Sequence, residues 1–193
     1  GLKRLAPLLL EFSQRYPEVG LDMDYTDRRV KLIEEGIDLS IRITRKLDGG
    51  DVARRIGTSR MQVVAAPDYL ARHGRPQHPS ELLHHECLGY TSGGQTQGWQ
   101  FIVDGQPETF PVRSRIHANN GEVLTEAAAQ GLGITLQPDF ILDGFLAAGR
   151  VEPLLTEFPA PELGIYAILP GSRHVPHRVR VLMDFLAART LGS

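Results

Sequence analysis

The stretch that decides the fold is Ala118-Asn119-Asn120-Gly121-Glu122, continued by residues 123–130, Gly131-Leu132-Gly133 and residues 134–138. It predicts a strand end, a helix, a tight turn and a short buried strand. Asn119 is the predicted N-cap, and Glu122 follows at capping-box spacing. Ligands of open α/β sheets bind beyond the strand ends, where a helix N-terminus favours an anion. The stretch therefore predicts a small-molecule site without a catalytic group, or else a helix cap and turn with no ligand.

Composition limits the class of protein. The 193 residues carry 21 Lys and Arg against 23 Asp and Glu, a net charge of −2. This balance does not favour nucleic acid or an anionic membrane as a direct partner. Cys87 is the only cysteine, which excludes an intramolecular disulfide and favours a reducing, cytoplasmic location. The sequence shows no secretory signal and no apolar run of membrane-spanning length, so we expect no membrane association.

Helical and alternating apolar patterns follow one another along the chain. Apolar residues at helical spacing predict a first helix that Pro17 ends, and Pro176 suits the first turn of a last helix. Asp27 is a candidate cap for a short helix that ends at Gly36. Strands that alternate with helices indicate βαβ units and a largely parallel sheet. Alternating patterns predict strands at 19–25, 39–43, 61–66, 87–90, 99–103, 109–112 and 163–169.

The chain is predicted to cross between two halves twice, near Ala65-Ala66 and near residues 162–164. The predicted fold class is α/β, with two Rossmann-like lobes joined by two crossover segments. The first lobe comprises residues 1–66 and 164–193, and the second comprises residues 67–163. Two crossings make a hinge, and a hinge between lobes suits closure around a ligand in an interlobe cleft.

Polar side chains at predicted strand ends are the binding candidates. Arg42 and Thr44 end one strand, and Arg42 has the geometry to pair with a carboxylate or to remain an exposed strand-edge residue. Tyr90 and Thr91 supply hydroxyl groups after another strand. Asn119, Asn120 and Gly121 complete the candidate set at the helix start.

Catalytic and metal-binding patterns are weak throughout the sequence. Gly131-Leu132-Gly133 lacks the third glycine of a dinucleotide fingerprint, and it follows a helix instead of opening one. The pairs His84-His85 and His174/His177 have no further ligand at a familiar metal spacing. Cys87 opens a predicted strand, which favours a small buried side chain over a nucleophile. We therefore predict no catalytic residue, no metal and no cofactor, and hence no enzyme.

The order of several short motifs resembles one family. The chain resembles the effector-binding domain of LysR-type transcriptional regulators from residue 2 to about residue 188. Each motif is weak alone, but their order and spacing together are specific. The motifs are Leu5–Leu9 with Glu11-Phe12, Arg15–Val19, Asp38–Arg42, Ala65–Leu70, Cys87–Tyr90, Ala118–Glu122, Gly131–Pro138 and Pro176–Leu186.

The resemblance implies a fold like that of type 2 periplasmic binding proteins. It also implies a non-catalytic sensor that binds a small, anionic effector in the interlobe cleft and assembles as a homodimer or tetramer. DNA would be contacted only through a winged helix-turn-helix, which this sequence does not contain; the family's opening strand is also not found in it. The alternative is a solute-binding protein that serves a transporter, which would share the fold.

Overall fold

A computed structural model of the chain describes residues 2–26, 30–47, 49, 52–91, 98–171 and 175–190. The chain divides into two compact units: Gly1–Ser59 with Glu162–Ser193, and Arg60–Pro161. The predicted lobes change over a few residues later, after residues 66 and 163. The difference arises because the strand that begins at Met61 pairs with the sheet of the second unit.

In its described residues, the first unit has two helices and a three-stranded sheet; helices and strands are numbered in chain order. The helices are α1 (Leu2–Arg15) and α5 (His177–Thr190), and the strands are β1 (Ser40–Thr44), β2 (Val52–Ser59) and β10 (Leu163–Leu169). Strand β10 lies between β1 and β2 and is antiparallel to both. The parallel arrangement expected from the sequence is therefore wrong for this sheet.

The first and last helices share the core of this unit. The helical apolar pattern of α1 buries Leu5, Leu9 and Phe12. The Phe12 ring meets the Phe185 ring edge-on, with their centroids 5.3 Å apart; this is a favoured geometry for aromatic pairs.

Between α1 and β1, the described residues contain neither the predicted strand nor the predicted short helix. Residues 19–26 are described and carry no strand, and residues 32–36 form a turn with Gly36 at φ +67°. Asp27, the predicted cap of the short helix, lies outside the described residues. An alternating pattern shows only that two faces differ, whereas a strand also needs a hydrogen-bonded neighbour.

Over residues 60–91 and 98–161, the second unit has a five-stranded sheet, a hairpin and four helical segments. Its sheet strands are β3 (Met61–Ala65), β4 (Glu86–Tyr90), β7 (Arg113–Ala118), β8 (Ile134–Pro138) and β9 (Glu152–Leu154). Its helices are α2 (Pro67–His73), α3 (Gly121–Ala129) and α4 (Asp139–Ala147), with a 3-10 helix over Pro79–His84. Strands β5 (Trp99–Val103) and β6 (Gln106–Phe110) form the hairpin.

The main sheet of the second unit is mixed. The strand order is β7-β4-β8-β3-β9. Strand β4 is parallel to β7 and β8, whereas β3 is antiparallel to β8 and β9. Neighbouring residues of β3 enter different apolar clusters: Val63 packs with Tyr69 and Trp99, and Val64 packs with Leu124. Both faces of the sheet are therefore covered, as in α/β proteins.

Candidate functional site

The ends of β4 and β7 bring four of the predicted residues together. In the register of these parallel strands Tyr90 lies opposite Ala118, and the Thr91 N–H donates to the Ala118 carbonyl at 2.9 Å. Tyr90 is exposed and Thr91 is half-buried. Because Asn119 and Asn120 follow Ala118 directly, hydroxyl and amide groups gather where α3 begins.

The residue that caps α3 is Asn120. Its Oδ1 accepts hydrogen bonds from the N–H groups of Glu122 at 2.9 Å and Val123 at 3.1 Å. The prediction that Asn119 is the N-cap is wrong, because the backbone of Asn120 is still extended, at φ −125° and ψ 117°. Because the helix begins one residue later than predicted, its third residue is Val123 instead of Glu122. A capping box needs Glu or Gln at this position, so the predicted capping box is not formed.

This cap changes the expectation for an anion at α3. Two of the N–H groups in the first turn already have the Asn120 side chain as their acceptor. The helix dipole still favours negative charge here. The cap does not engage the Gly121 N–H, so an anion would bind beside the Asn120 amide or displace it.

Gly121 allows a close approach that any other residue would prevent. A Cβ atom on Gly121 would lie 2.5 Å from Gln137 Oε1 and 2.6 Å from Ile141 Cδ1. The first residue of α3 therefore sits directly against the end of β8. The requirement for glycine here is steric, and it is independent of any ligand.

Buried polar groups beneath this helix start were not singled out from the sequence. Gln137 is 2% exposed, and its Nε2 donates to Thr135 Oγ1 at 2.9 Å. The hydroxyl of Thr125, also buried, donates to the Gly121 carbonyl at 2.8 Å. Burying an amide costs free energy unless it is hydrogen-bonded, so a Gln in a buried strand was the available signal.

Arg42 and Thr44 lie in the other unit, where they share one face of β1. Arg42 is opposite Tyr166 in the antiparallel pairing with β10. The Thr44 hydroxyl donates to the Lys46 carbonyl at 3.0 Å and accepts from the Lys46 N–H at 3.3 Å. The argument that parallel strand ends face a crevice does not apply to an antiparallel strand. The seven predicted residues thus form two groups, one in each unit.

Cys87 and His85, two side chains considered as catalytic candidates, are held in the fold by burial and by a hydrogen bond. Cys87 is fully buried, and burial raises the pKa of its thiol to about 12, so the reactive thiolate is disfavoured. His85 Nδ1 lies 3.1 Å from the Tyr69 hydroxyl.

Within the described ranges, His, Cys, Asp and Glu form no group of three or more that could hold a metal ion. The described helices include none with the length and apolar character needed to cross a bilayer.

Comparison with known proteins gives the class. Residues 1–190 match the family model for the LysR substrate binding domain. The regulator CrgA of Neisseria meningitidis, described as an HTH-type transcriptional regulator, is 36% identical over 186 residues. The match covers 96% of this chain and 62% of CrgA, so the chain spans about three fifths of that relative.

Solved structures show the same relationship. The regulatory domain of CrgA superposes with a TM-score of 0.83 at 35% identity, covering 98% of this chain and 93% of that one. The full-length virulence activator AphB of Vibrio cholerae gives a TM-score of 0.82 at 28% identity, covering 98% of this chain and 64% of AphB.

The chain belongs to the LysR substrate-binding domain family. Its fold is the two-lobe α/β fold of LysR regulatory domains, which resembles that of periplasmic binding proteins. These relatives are transcriptional regulators and not enzymes, and the alternative of a transporter's solute-binding protein is not favoured.

Proposed function

We propose that this chain is the sensing domain of a LysR-type regulator and that it binds a small anionic effector through Arg42, Thr44, Tyr90, Thr91, Asn119, Asn120 and Gly121. The observation that carries the proposal is the family match over residues 1–190. The backbone hydrogen bond from Thr91 to Ala118 brings Thr91 next to the capped start of α3. This contact supports the choice of the five candidate residues in the second unit. Arg42 supplies the cation for an effector carboxylate.

A thermal-shift screen over small carboxylates tests this proposal. A ligand present at 100 times its Kd stabilises the native state by about 2.7 kcal/mol, which raises the Tm of a chain of this size by roughly 5–10 °C. The Asn119→Ala/Arg42→Ala double variant should lose this shift, whereas a Lys31→Ala/Glu108→Ala control with two exposed changes should keep it. Equal stabilisation of the site variant and the control would reject the site.

We also propose that the complete regulator contacts DNA through a separate domain and works in the cytoplasm. Support comes from the relatives, described as HTH-type regulators, and from the net charge of −2 on this chain. In an anisotropy titration at physiological salt, the chain alone should leave a labelled operator unbound, and the complete protein should bind it. Tight binding by the chain alone would contradict this assignment.

Self-association is the third part of the proposal. The first unit carries 15 Lys and Arg against 12 Asp and Glu, and the second carries 6 against 11. On the second unit, an open groove of about 470 Å³ is lined by four apolar side chains, two acidic side chains and one amide: Val123, Ala127, Leu132, Phe145, Glu122, Glu126 and Gln130. On the first unit, α1 presents Leu10, which is 55% exposed.

These charges and surfaces favour pairing of the first unit of one copy with the second unit of another copy. Sedimentation should then show a dimer or tetramer that Leu10→Glu and Val123→Glu each weaken. Ile33→Glu, an equally drastic change at another exposed apolar residue, should leave association intact. A monomer at every concentration would refute the pairing.

A further inference from the structure

A buried tyrosine joins three elements of the second unit. Tyr69, on α2, is 2% exposed, and its hydroxyl oxygen accepts the Glu86 N–H at 3.1 Å. The same oxygen lies 3.1 Å from Nδ1 of His85, which ends the 3-10 helix. One hydroxyl group therefore links α2 to the start of β4.

The polarity of this link depends on the charge of His85. Because the Tyr69 oxygen accepts from Glu86, its single proton is available to donate to an unprotonated Nδ1. When His85 is protonated, Nδ1 carries a hydrogen and becomes a donor that faces the same oxygen. The Tyr69 proton must then find another acceptor in a buried position, which leaves a polar group unsatisfied.

Burial and two neighbouring histidines favour the neutral form of His85. The His73 ring stacks on the Tyr69 ring with centroids 4.5 Å apart, and His84 precedes His85 in the chain. Burial lowers the pKa of His85 most, and His73 and His84 lower it further, while Glu81 of the 3-10 helix raises it. Arg72 of α2, with Glu86 and Cys87 of β4, are the other ionisable groups near the tyrosine.

We propose that the Tyr69–His85 hydrogen bond is an acid-sensitive latch between α2 and the residue that ends the 3-10 helix, directly before β4. The inference does not depend on the proposed function, although β4 ends at Tyr90, beside the candidate site. Because folding lowers the pKa of His85, the latch contributes fully above the unfolded value of about 6.5. Its contribution is lost as the pH falls through that value toward the lower folded one.

Thermal unfolding followed by the fluorescence of Trp99 tests the latch, because this single tryptophan lies in the core of the second unit. The His85→Asn variant keeps an acceptor near the place of Nδ1 but does not titrate. Between about pH 7.5 and about pH 5, the Tm of the wild-type chain should fall further than that of His85→Asn, because only the wild type loses the contribution of a titrating His85. The control His177→Asn, which removes an exposed histidine of the first unit, should fall like the wild type.

Proton NMR of the histidine rings gives a second readout that needs no unfolding. The His85 signal, identified by its disappearance in His85→Asn, should titrate below the ordinary value of about 6.5. In Tyr69→Phe, which keeps the ring and removes the hydroxyl, this titration should move upward. An ordinary His85 titration in the wild type, or an unchanged acid dependence of Tm in His85→Asn, would overturn the proposal.

Discussion

Replacing Asn120 by alanine should destabilise the second unit through its helix α3. The substitution removes the oxygen that accepts from Glu122 N–H at 2.9 Å and Val123 N–H at 3.1 Å. Loss of an N-cap side chain costs about 0.5–2 kcal/mol. Because two donors share this cap, we expect a cost in the upper half of that range, about 1–2 kcal/mol.

Urea unfolding followed by Trp99 fluorescence measures this cost in the relevant unit. Trp99 is the single tryptophan of the chain and is 7% exposed in the core of the second unit. Its emission therefore reports unfolding of the unit that contains α3. The midpoint should fall while the slope with urea stays constant, since the surface exposed on unfolding is unchanged.

The neighbouring asparagine provides the matched control. Asn119→Ala removes the same side chain one residue earlier, where it caps nothing, and should cost less than about 0.5 kcal/mol. If Asn119→Ala costs as much as Asn120→Ala, the helix begins one residue earlier than described and the argument on anion binding fails. Asn120→Asp should retain the cap, because a carboxylate accepts the same bonds.

Three further outcomes are expected. Gly121→Ala should lower the free energy of unfolding measured in urea by about 1–3 kcal/mol, because its Cβ would overlap Gln137 Oε1. Additivity with Gln137→Ala in a double-mutant cycle would argue against that overlap. The Cys87 thiol, buried and with its pKa raised to about 12, should resist a disulfide reagent at about pH 8 until urea is added; rapid labelling of the folded chain would contradict its burial. Phe12→Ala should destabilise the first unit by about 3–5 kcal/mol in circular dichroism melts, and a change below 1 kcal/mol would show that the Phe12–Phe185 contact is not part of its core.

Turn chemistry and periodicity made the second half of the chain predictable. Strands are predicted at 99–103 and 109–112, and between them Asp104 and Gly105 take the two positive φ values, 49° and 78°, that a tight hairpin turn requires. Strand β2 was missed because Arg54 and Arg55 interrupt any alternation. Strand direction could not be read from periodicity, since an alternating pattern is the same in either orientation.

The candidate site was predictable only in part. The sequence placed polar groups at the ends of β4 and β7, but the contact of Thr91 with Ala118 joins residues far apart in the chain. The shift of the cap from Asn119 to Asn120 depends on where the backbone leaves the extended region, which residue type alone does not determine. The signal that Gln137 offers is its residue type in a buried strand, and an analysis of periodicity alone does not detect it.

The position of β10 in the middle of the first sheet has a consequence for synthesis of the chain. The second unit is one continuous segment, Arg60–Pro161, whereas the first unit receives its middle strand only from Leu163–Leu169. As the polypeptide leaves the ribosome, the second unit can fold while β1 and β2 still lack the strand that joins them. A nascent chain that stops at residue 161 should therefore contain one folded and one unfolded unit, distinguishable by protease digestion.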